Sequence, residues 1–180
     1  MSNGNPLHGI DLREDILEHI FGLLQGVAGV NTVWRNRGPI REQEETGGSL
    51  RPAIILLDGD TRLQVSSETI YGYKSRRMPP VPVIMSPEIY VILDKAATRT
   101  NTTDKFGNYY NPGQQLSSFH WQIKLVIENE PGLLSLLTPN GQIVWTGFET
   151  DMKSGSAVGA MGPMGCVTYD LYFPLQPPRS

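Results

Sequence analysis

Cysteine is nearly absent from this sequence, since Cys166 is the only one among 180 residues. A single cysteine cannot form a disulfide within the chain, and it cannot supply the several thiolates of a structural zinc site. A disulfide-stabilised secreted domain is therefore excluded. The composition favours an intracellular protein or a component of an assembled particle.

Long apolar runs are also missing. No stretch approaches the roughly 18 uncharged apolar residues that a membrane-spanning helix needs. The first residues, MSNGNPLHGIDLRED, lack the basic region followed by an apolar run that marks a signal peptide. The expectation is a protein that is neither secreted nor inserted in a membrane.

A large cluster of basic charge is the third feature that the sequence lacks, since its only compact basic cluster is formed by Lys74, Arg76 and Arg77. The net charge is −3, and residues 1–52, 53–97 and 98–180 each carry five Lys or Arg side chains against seven, five and six acidic ones. Nucleic-acid affinity depends on basic clusters, because neutralising phosphates and releasing their counterions dominates the binding free energy. The even distribution of charge argues against a tight nucleic-acid binder.

The length is near the usual size of one domain, so we expect a single domain over residues 1–180, with residues 1–9 and 176–180 as flexible termini. The 19 glycines and 14 prolines predict long connections between secondary-structure elements. Three polar segments rich in glycine or turn residues are the expected loops: Gly38 to Ser49, Ala96 to Asn111 and Ser154 to Gly165.

Two segments have the apolar periodicity of helices. The first, DLREDILEHIFGLLQG, has capping-box spacing between Asp11 and Glu14 and is expected to stop at Gly26 and Gly29. The second begins at Pro112 and is halted by Pro131. The buried positions predicted for the two helices are Leu12, Ile16, Leu17, Ile20, Phe21, Leu24 and Val27, and Leu116, Phe119, Ile123, Val126 and Ile127.

Segments rich in β-branched and aromatic residues predict the strands, and Met78 to Lys95 is expected to be one long bent strand or two short ones meeting near Ser86. LLSLL, after Pro131, is expected to be a turn. The other predicted strands are Asn31 to Asn36, Ala53 to Leu57, Thr61 to Val65, Gln142 to Phe148 and Val167 to Phe173. The order of elements, without a regular strand-helix-strand repeat, predicts an α+β fold: a mostly antiparallel or mixed sheet packed against two main helices, with long loops.

The stretch RPAIILLDGD, from Arg51 to Asp60, raises the question of a metal or catalytic site. A calcium-binding loop would continue with further acidic positions, but Thr61 and Arg62 follow instead. Asp-Gly is a strong hairpin signal, so we expect Asp58-Gly59-Asp60 to be a turn that follows a buried strand. On that interpretation, changing Asp58 to Asn alters local stability only slightly.

No other pattern supports catalysis. His8, His19 and His120 lie far apart, with His19 and His120 expected on the polar flanks of the two helices, so no metal motif is predicted. Cys166 is expected to be a small packing residue, and no nucleophile elbow occurs. The glycines from Gly155 to Gly165 lead into a strand rather than a helix, which argues against a phosphate-binding loop. No catalytic, metal-binding or cofactor-binding residue and no cofactor is predicted.

The order of apolar segments resembles that of the tail terminator proteins of long-tailed bacteriophages, also called tail completion or minor tail proteins. The segments that carry the resemblance are REDILEHIFGLLQGVAGVNTVWRN, RPAIILLDGD, PVIMSPEIYVILD and the alternating last strand, which together extend from about Leu12 to Phe173. They are patterns of apolar segments rather than an invariant signature.

The resemblance implies a non-enzymatic α+β subunit of the virion. Such a subunit forms a homo-oligomeric ring, a hexamer in this family, on the tail tube at the junction between head and tail. It binds the tail tube protein, ends tube polymerisation and docks the head-tail connector, or stopper, protein. Genome DNA passes through the ring without sequence-specific binding, and no membrane or cofactor is involved.

Ring contacts are expected from the loops at residues 37–51, 98–112 and 151–165. The charged side chains that could pair between subunits or rings are Arg37, Arg41, Glu42, Glu44, Glu45, Lys74, Arg76 and Arg77. A solvated loop and an exposed connection between strands are the alternative interpretations of these charges. Three other functions also stay open: another connector ring subunit, a small hydrolase or metal-dependent enzyme with a site assembled from distant residues, and a monomeric binding module.

Overall fold

The computed structural model describes residues 6–7, 9–36, 50–63, 82–93, 102–103, 109–137, 141–151 and 163–174. Three helices and seven strands lie in this part of the chain. In chain order they are α1 Leu12–Gln25, β1 Thr32–Arg35, β2 Ala53–Leu63, β3 Pro82–Ile92, β4 Thr102–Thr103, β5 Tyr109–Tyr110, α2 Pro112–Ile127, α3 Pro131–Leu137, β6 Gln142–Asp151 and β7 Met164–Pro174.

Five of the strands form one mixed sheet in the order β1-β2-β3-β7-β6. Strand β1 runs parallel to β2, and every other neighbouring pair is antiparallel. Strands β4 and β5 form a separate two-stranded pair inside the segment predicted as a loop from Ala96 to Asn111. The predicted α+β fold, with a mixed sheet packed against helices, is confirmed.

One face of the sheet packs against the helices and holds the main core. The last strand shows the predicted alternation, because Val167, Tyr169, Leu171 and Phe173 are buried while the residues between them are half-buried. The helices contribute the predicted stripes at helical spacing. Their buried members are Ile16, Leu17, Ile20, Leu24 and Val27 from the α1 segment, and Leu116, Phe119, Ile123 and Ile127 from α2.

The opposite face of the sheet is apolar at one end only. Ala53, Ile55, Ile92 and Met164 form a second buried cluster there. Both faces of the first half of β2 are therefore buried, as the uninterrupted apolar run predicts. Farther along this face, toward β6, the residues become polar.

The helix starts follow local sequence signals, with one difference from the prediction. Asn111 and Gln114 form a reciprocal capping box in front of α2, and Pro112 occupies its first turn. Asp11 caps α1 by accepting the backbone N–H of Arg13 at 2.9 Å. The predicted box with Glu14 is absent because the Glu14 carboxylate binds an arginine of β1 instead.

A third helix replaces the turn predicted for LLSLL. Helix α3 buries Leu133 and Leu137, and the carboxylate of Glu130 accepts the backbone N–H of Leu133 at its start. The segment is too short for apolar periodicity to separate a helix from a turn, so the prediction of a turn is wrong.

The turn predicted at Asp58-Gly59-Asp60 is wrong, and this is the largest difference between the predicted and the observed fold. Strand β2 continues through these residues, and its pairing with β3 shifts so that Asp58 and Gly59 lie opposite the single residue Pro87. This is a β-bulge, in which one strand carries an extra residue. Gly59 has a φ of +67°, a conformation that glycine adopts without strain. Pro87 has no N–H to donate to the ladder, so it suits the position opposite the interruption.

Strand β3 is one continuous strand, which confirms the first of the two alternatives for Met78 to Lys95 over residues 82–92. Strand β6 extends three residues beyond its predicted end, to Asp151. The predicted loops Gly38 to Ser49 and, apart from its last residues, Ser154 to Gly165 lie outside the described residues, as do Gln64 and Val65.

None of the described helices combines the length and the apolar character needed to cross a membrane.

Candidate functional site

The charged residues proposed as ring contacts are not among those that the structure describes. These residues are Arg37, Arg41, Glu42, Glu44, Glu45, Lys74, Arg76 and Arg77. Their role therefore stays a prediction. The described residues offer four other places where polar or apolar groups are concentrated.

The first is an ion-pair cluster at the β2 bulge. Arg35 of β1 donates to both carboxylate oxygens of Glu14 at 2.9 Å and to both of Asp58 at 2.8 and 2.9 Å. Asp58 continues the alternation of Ile54 and Leu56 and so lies on the helix side of the sheet, beneath the first turn of α1. The bulge brings Thr61 to the same side. Arg13 adds a hydrogen bond to Thr61 at 2.8 Å. The cluster joins α1, β1 and β2.

The charges of this cluster stabilise one another. Hydrogen bonds from Arg35 lower the pKa of Glu14 more than burial raises it. At Asp58, burial acts to raise the pKa, but hydrogen bonds from Arg35 and Asn36, together with the positive charges of Arg35 and Arg13, outweigh it and the pKa falls. The two carboxylates raise the pKa of Arg35 in turn. Each carboxylate oxygen of Glu14 and Asp58 already accepts a hydrogen bond from Arg35. The cluster is therefore better suited to holding α1, β1 and β2 together than to binding a metal or a substrate.

Changing Asp58 to Asn is expected to reduce the free energy of unfolding by about 1 to 3 kcal/mol, because the amide replaces a carboxylate that binds Arg35 through two charge-assisted bonds. This differs from the slight effect expected of a turn residue. Asp60→Asn is the matched control, since Asp60 is exposed two residues away. Urea denaturation at pH 7 measures both, and equal effects of the two variants would contradict a structural role for the cluster.

The second place is a cleft of about 300 Å³ on the sheet face opposite the helices, lined in part by Glu88, Tyr90, Glu149, Cys166 and Thr168. The Tyr90 hydroxyl donates to Glu88 at 2.7 Å, and burial followed by this bond raises the pKa of Tyr90. Burial also raises the pKa of the Cys166 thiol to about 11. Near neutral pH the thiol is therefore protonated and a weak nucleophile.

The third place joins α1 to the start of α3. The Nε2 atom of His19 lies 2.6 Å from Glu130 Oε2, and the same oxygen accepts the backbone N–H of Leu133 at 2.5 Å. The bond from Leu133, with a contribution from His19, lowers the pKa of Glu130. His19 is partly exposed, as its predicted place on a polar flank requires. Glu130 therefore caps the start of α3 and at the same time connects that helix to His19 of α1.

The described residues contain no group of His, Cys, Asp and Glu side chains arranged to hold a metal ion.

The fourth place is an exposed apolar surface, which we call the α2–β6 surface and define by Trp121, Leu125 and Trp145. Trp121 and Leu125 are each 61% exposed, and Trp145 is 44% exposed. Trp121 and Leu125 are four residues apart, so they lie side by side on α2. Lys124 of α2 places its Nζ 4.4 Å from the centroid of the Trp145 ring. This contact connects the helical part of the surface to Trp145 on β6.

His120 packs between α2 and β6, on the inner side of the α2–β6 surface. Its ring stacks on Phe148 with centroids 4.2 Å apart and lies 5.6 Å from the centroid of Trp145. The predicted place of His120 on a polar flank is therefore wrong: the ring packs between α2 and β6. Strand β6 covers this flank of α2, which the sequence of the helix alone does not indicate.

The sequence contained a signal for the α2–β6 surface that the prediction did not use. The apolar stripe of α2 accounts for Leu116, Phe119, Ile123 and Ile127. Trp121 and Leu125 do not belong to that stripe, yet they share a face because they are four residues apart. A large aromatic and a leucine at this spacing on the polar side of a helix indicate an interaction surface.

Neither a scan of protein-family models nor a search of curated proteins finds a match to this chain.

Proposed function

We propose that this protein is a structural subunit of a phage virion. It forms a homo-oligomeric ring at the head-proximal end of the tail tube, ends tube polymerisation and joins the tail to the head connector. Its partners are further copies of itself, the tail tube protein and the connector protein, and DNA passes through the ring. The resemblance in the order of apolar segments suggests this role, and the α2–β6 surface is the structural observation that carries it.

The exposed area makes the α2–β6 surface suitable for assembly. Its three side chains leave roughly 300 to 400 Å² in contact with solvent, a size at which an apolar patch on a monomer is often functional. Tryptophan is also enriched among the residues that dominate the binding energy of protein interfaces. Two exposed tryptophans beside a leucine therefore favour association over a role as an isolated domain.

The elements beneath the α2–β6 surface give it a fixed shape. Helix α2 is anchored by four buried side chains, and β6 is paired along its length with β7. A ring subunit needs a rigid contact of this kind because contacts between successive subunits must repeat the same geometry to close the ring. The sequence has no basic cluster larger than Lys74, Arg76 and Arg77, which suits a conduit through which DNA passes without being held.

The proposed function is tested by locating the chain in the assembled particle. Electron microscopy of particles that carry a label on this chain should show one ring of label at the head end of the tail tube. A ring of label nearer the head would assign the chain to the connector instead. Purified particles that contain no copies of the chain would rule out a virion protein of either kind.

Replacing Trp121 with Glu should weaken association by about tenfold or more, because a charge takes the place of a large apolar contact. Folding should be unaffected, since Trp121 is mostly exposed. Sedimentation velocity of the purified protein and incorporation into particles measure association, and the urea midpoint checks folding.

Two variants serve as controls for this experiment. Trp121→Phe keeps an apolar ring and should retain most of the association. Gln25→Glu adds the same charge at an exposed position of α1 and should behave as the unmodified protein. If Trp121→Glu assembles normally, the α2–β6 surface is not a subunit contact.

A further inference from the structure

The half-buried ring of His120 lies between α2 and the edge strand β6. Its ring stacks on Phe148 at an interplanar angle of 15°. Phe148 lies in turn against the backbone of β7, since a Cβ added at Gly165 would come within 2.8 Å of Phe148 Cε2. The His120 ring therefore packs on the Phe148 ring, and the Phe148 ring packs on β7 at Gly165, which has no side chain.

The buried nitrogen of His120 suits only the neutral form of the ring. Nε2 is shielded from solvent and has no hydrogen-bond partner among the described residues. In a neutral imidazole that carries its proton on Nδ1, Nε2 presents only a lone pair. The imidazolium would place an N–H at this position, and a buried donor without an acceptor is unfavourable.

The charged neighbours do not compensate for a proton on His120. Lys124, one turn along α2, is positive and extends over Trp145. Glu128 is the nearby anion on α2, but it already binds Lys124 at 2.9 Å and accepts the Tyr169 hydroxyl of β7 at 3.3 Å. Strand β6 contributes the uncharged rings of Trp145 and Phe148. Burial, with a further effect from Lys124 that Glu128 opposes, lowers the pKa of His120.

We propose that the contact between α2 and β6 is an acid-sensitive latch, in which protonation of His120 drives its ring out of the stack and loosens the edge strand. The latch is closed while the ring is neutral. When it opens, Phe148 and Trp145 lose the ring that covers them, and the apolar area next to Trp121 and Leu125 increases. The latch is a property of the fold and does not depend on the proposed role in a phage tail.

The direction of the pH effect follows from the lowered pKa. Above the ordinary histidine value of 6.5 both the folded and the unfolded chain carry neutral His120, so pH has no effect through this residue. Below 6.5 the unfolded or open form binds a proton that the closed form resists. The closed form therefore loses stability as the pH falls from 6.5 toward the lowered folded value.

Hydrogen exchange of the backbone amides of β6 tests the latch. After correction for the intrinsic pH dependence of exchange, residues 142–151 of the full chain should exchange severalfold faster at pH 5 than at pH 7.5, because the open form binds a proton that the closed form resists. His120→Phe keeps a flat ring in the stack but cannot be protonated. In this variant the corrected rates should be equal at the two pH values.

A histidine control and a second measurement separate the latch from other effects. His19→Gln removes the histidine that pairs with Glu130 and should leave the pH effect on β6 intact. The NMR signal of the His120 ring, identified by its loss in His120→Phe, should titrate with a midpoint below 6.5. A midpoint at or above 6.5, or an equal pH effect in unmodified protein and His120→Phe, would overturn the proposal. If His120→Phe does not fold, His120→Gln takes its place.

Discussion

Replacing Gly59 with alanine should lower the free energy of unfolding by about 3 kcal/mol or more, for two reasons that act together. The φ of +67° at Gly59 is strained for a residue with a Cβ, by about 1 to 2 kcal/mol. The new Cβ would also overlap the carbonyl oxygen of Ser86 and lie 2.7 Å from its carbonyl carbon. Because these are backbone atoms of β3, the strand itself would have to move. Urea denaturation followed by far-UV circular dichroism measures the change.

Two further variants separate backbone strain from the steric overlap at Gly59. Gly9 has a φ of +72°, but an added Cβ there meets no atom within 4 Å, so Gly9→Ala should show the strain alone, about 1 kcal/mol. Gly59→Asn relieves part of the strain, since asparagine tolerates positive φ, but it carries the same Cβ. It should be nearly as destabilising as Gly59→Ala. A near-normal stability of Gly59→Asn would show that the overlap is not the dominant cause.

The same residues explain why the sequence predicted a turn where the structure has a bulge. A two-residue turn and a bulge both favour glycine at positive φ, so the pattern Asp58-Gly59 is consistent with either. The difference is set by β3, which pairs with β2 on both sides of the interruption. Pairing between strands distant in sequence is not visible in local composition. The prediction was therefore correct about the backbone conformation and wrong about its consequence for the chain direction.

Elements with a long local signal were predicted well. Helix α2 combines a capping box, Pro112 in its first turn and four buried positions at helical spacing, and β7 alternates from Gly165 to its end at Pro174. Helix α3 has only seven residues, and its start depends on Glu130 and on the distant His19. A helix that is defined by a long-range contact cannot be recovered from periodicity.

The candidate sites were less predictable than the fold. The ion-pair cluster requires contacts among Glu14, Arg35 and Asp58, and these residues lie on three different elements, α1, β1 and β2. Nothing in the sequence of α2 itself shows that β6 lies against it, so the sequence predicts a polar flank for His120. Only the Trp121 and Leu125 pair was visible in advance, since its spacing lies within one helix.

Replacing Arg35 with methionine should reduce the free energy of unfolding by about 2 to 4 kcal/mol. Glu14 and Asp58 are only 15% and 19% exposed, and without Arg35 these two partly buried carboxylates would keep only the longer ion pairs with Arg13, at 3.5 and 3.6 Å. Removing one partner of a fully buried ion pair is more costly still, so this partly exposed cluster falls somewhat below that range. Arg62→Met is the matched control: Arg62 is 53% exposed and pairs with Asp170 at 3.8 Å, so its loss should have an effect below about 1 kcal/mol.

The pH dependence of the Arg35→Met variant distinguishes charge from packing. In the unmodified protein the pKa values of Glu14 and Asp58 are lowered from 4.5 and 3.8, so their stabilising effect is present above those values and is lost as the pH falls through the lowered folded values. In the variant, protonation removes the repulsion between the carboxylates. The difference in stability between the two proteins should therefore be largest near pH 7 and shrink below about pH 4.5. The triple variant Arg35→Met, Glu14→Gln, Asp58→Asn should recover part of the loss at pH 7, because it also removes the two carboxylates that have lost their main partner. A difference that stays constant from pH 7 to pH 3 would mean that the Arg35 side chain stabilises the joint by packing alone.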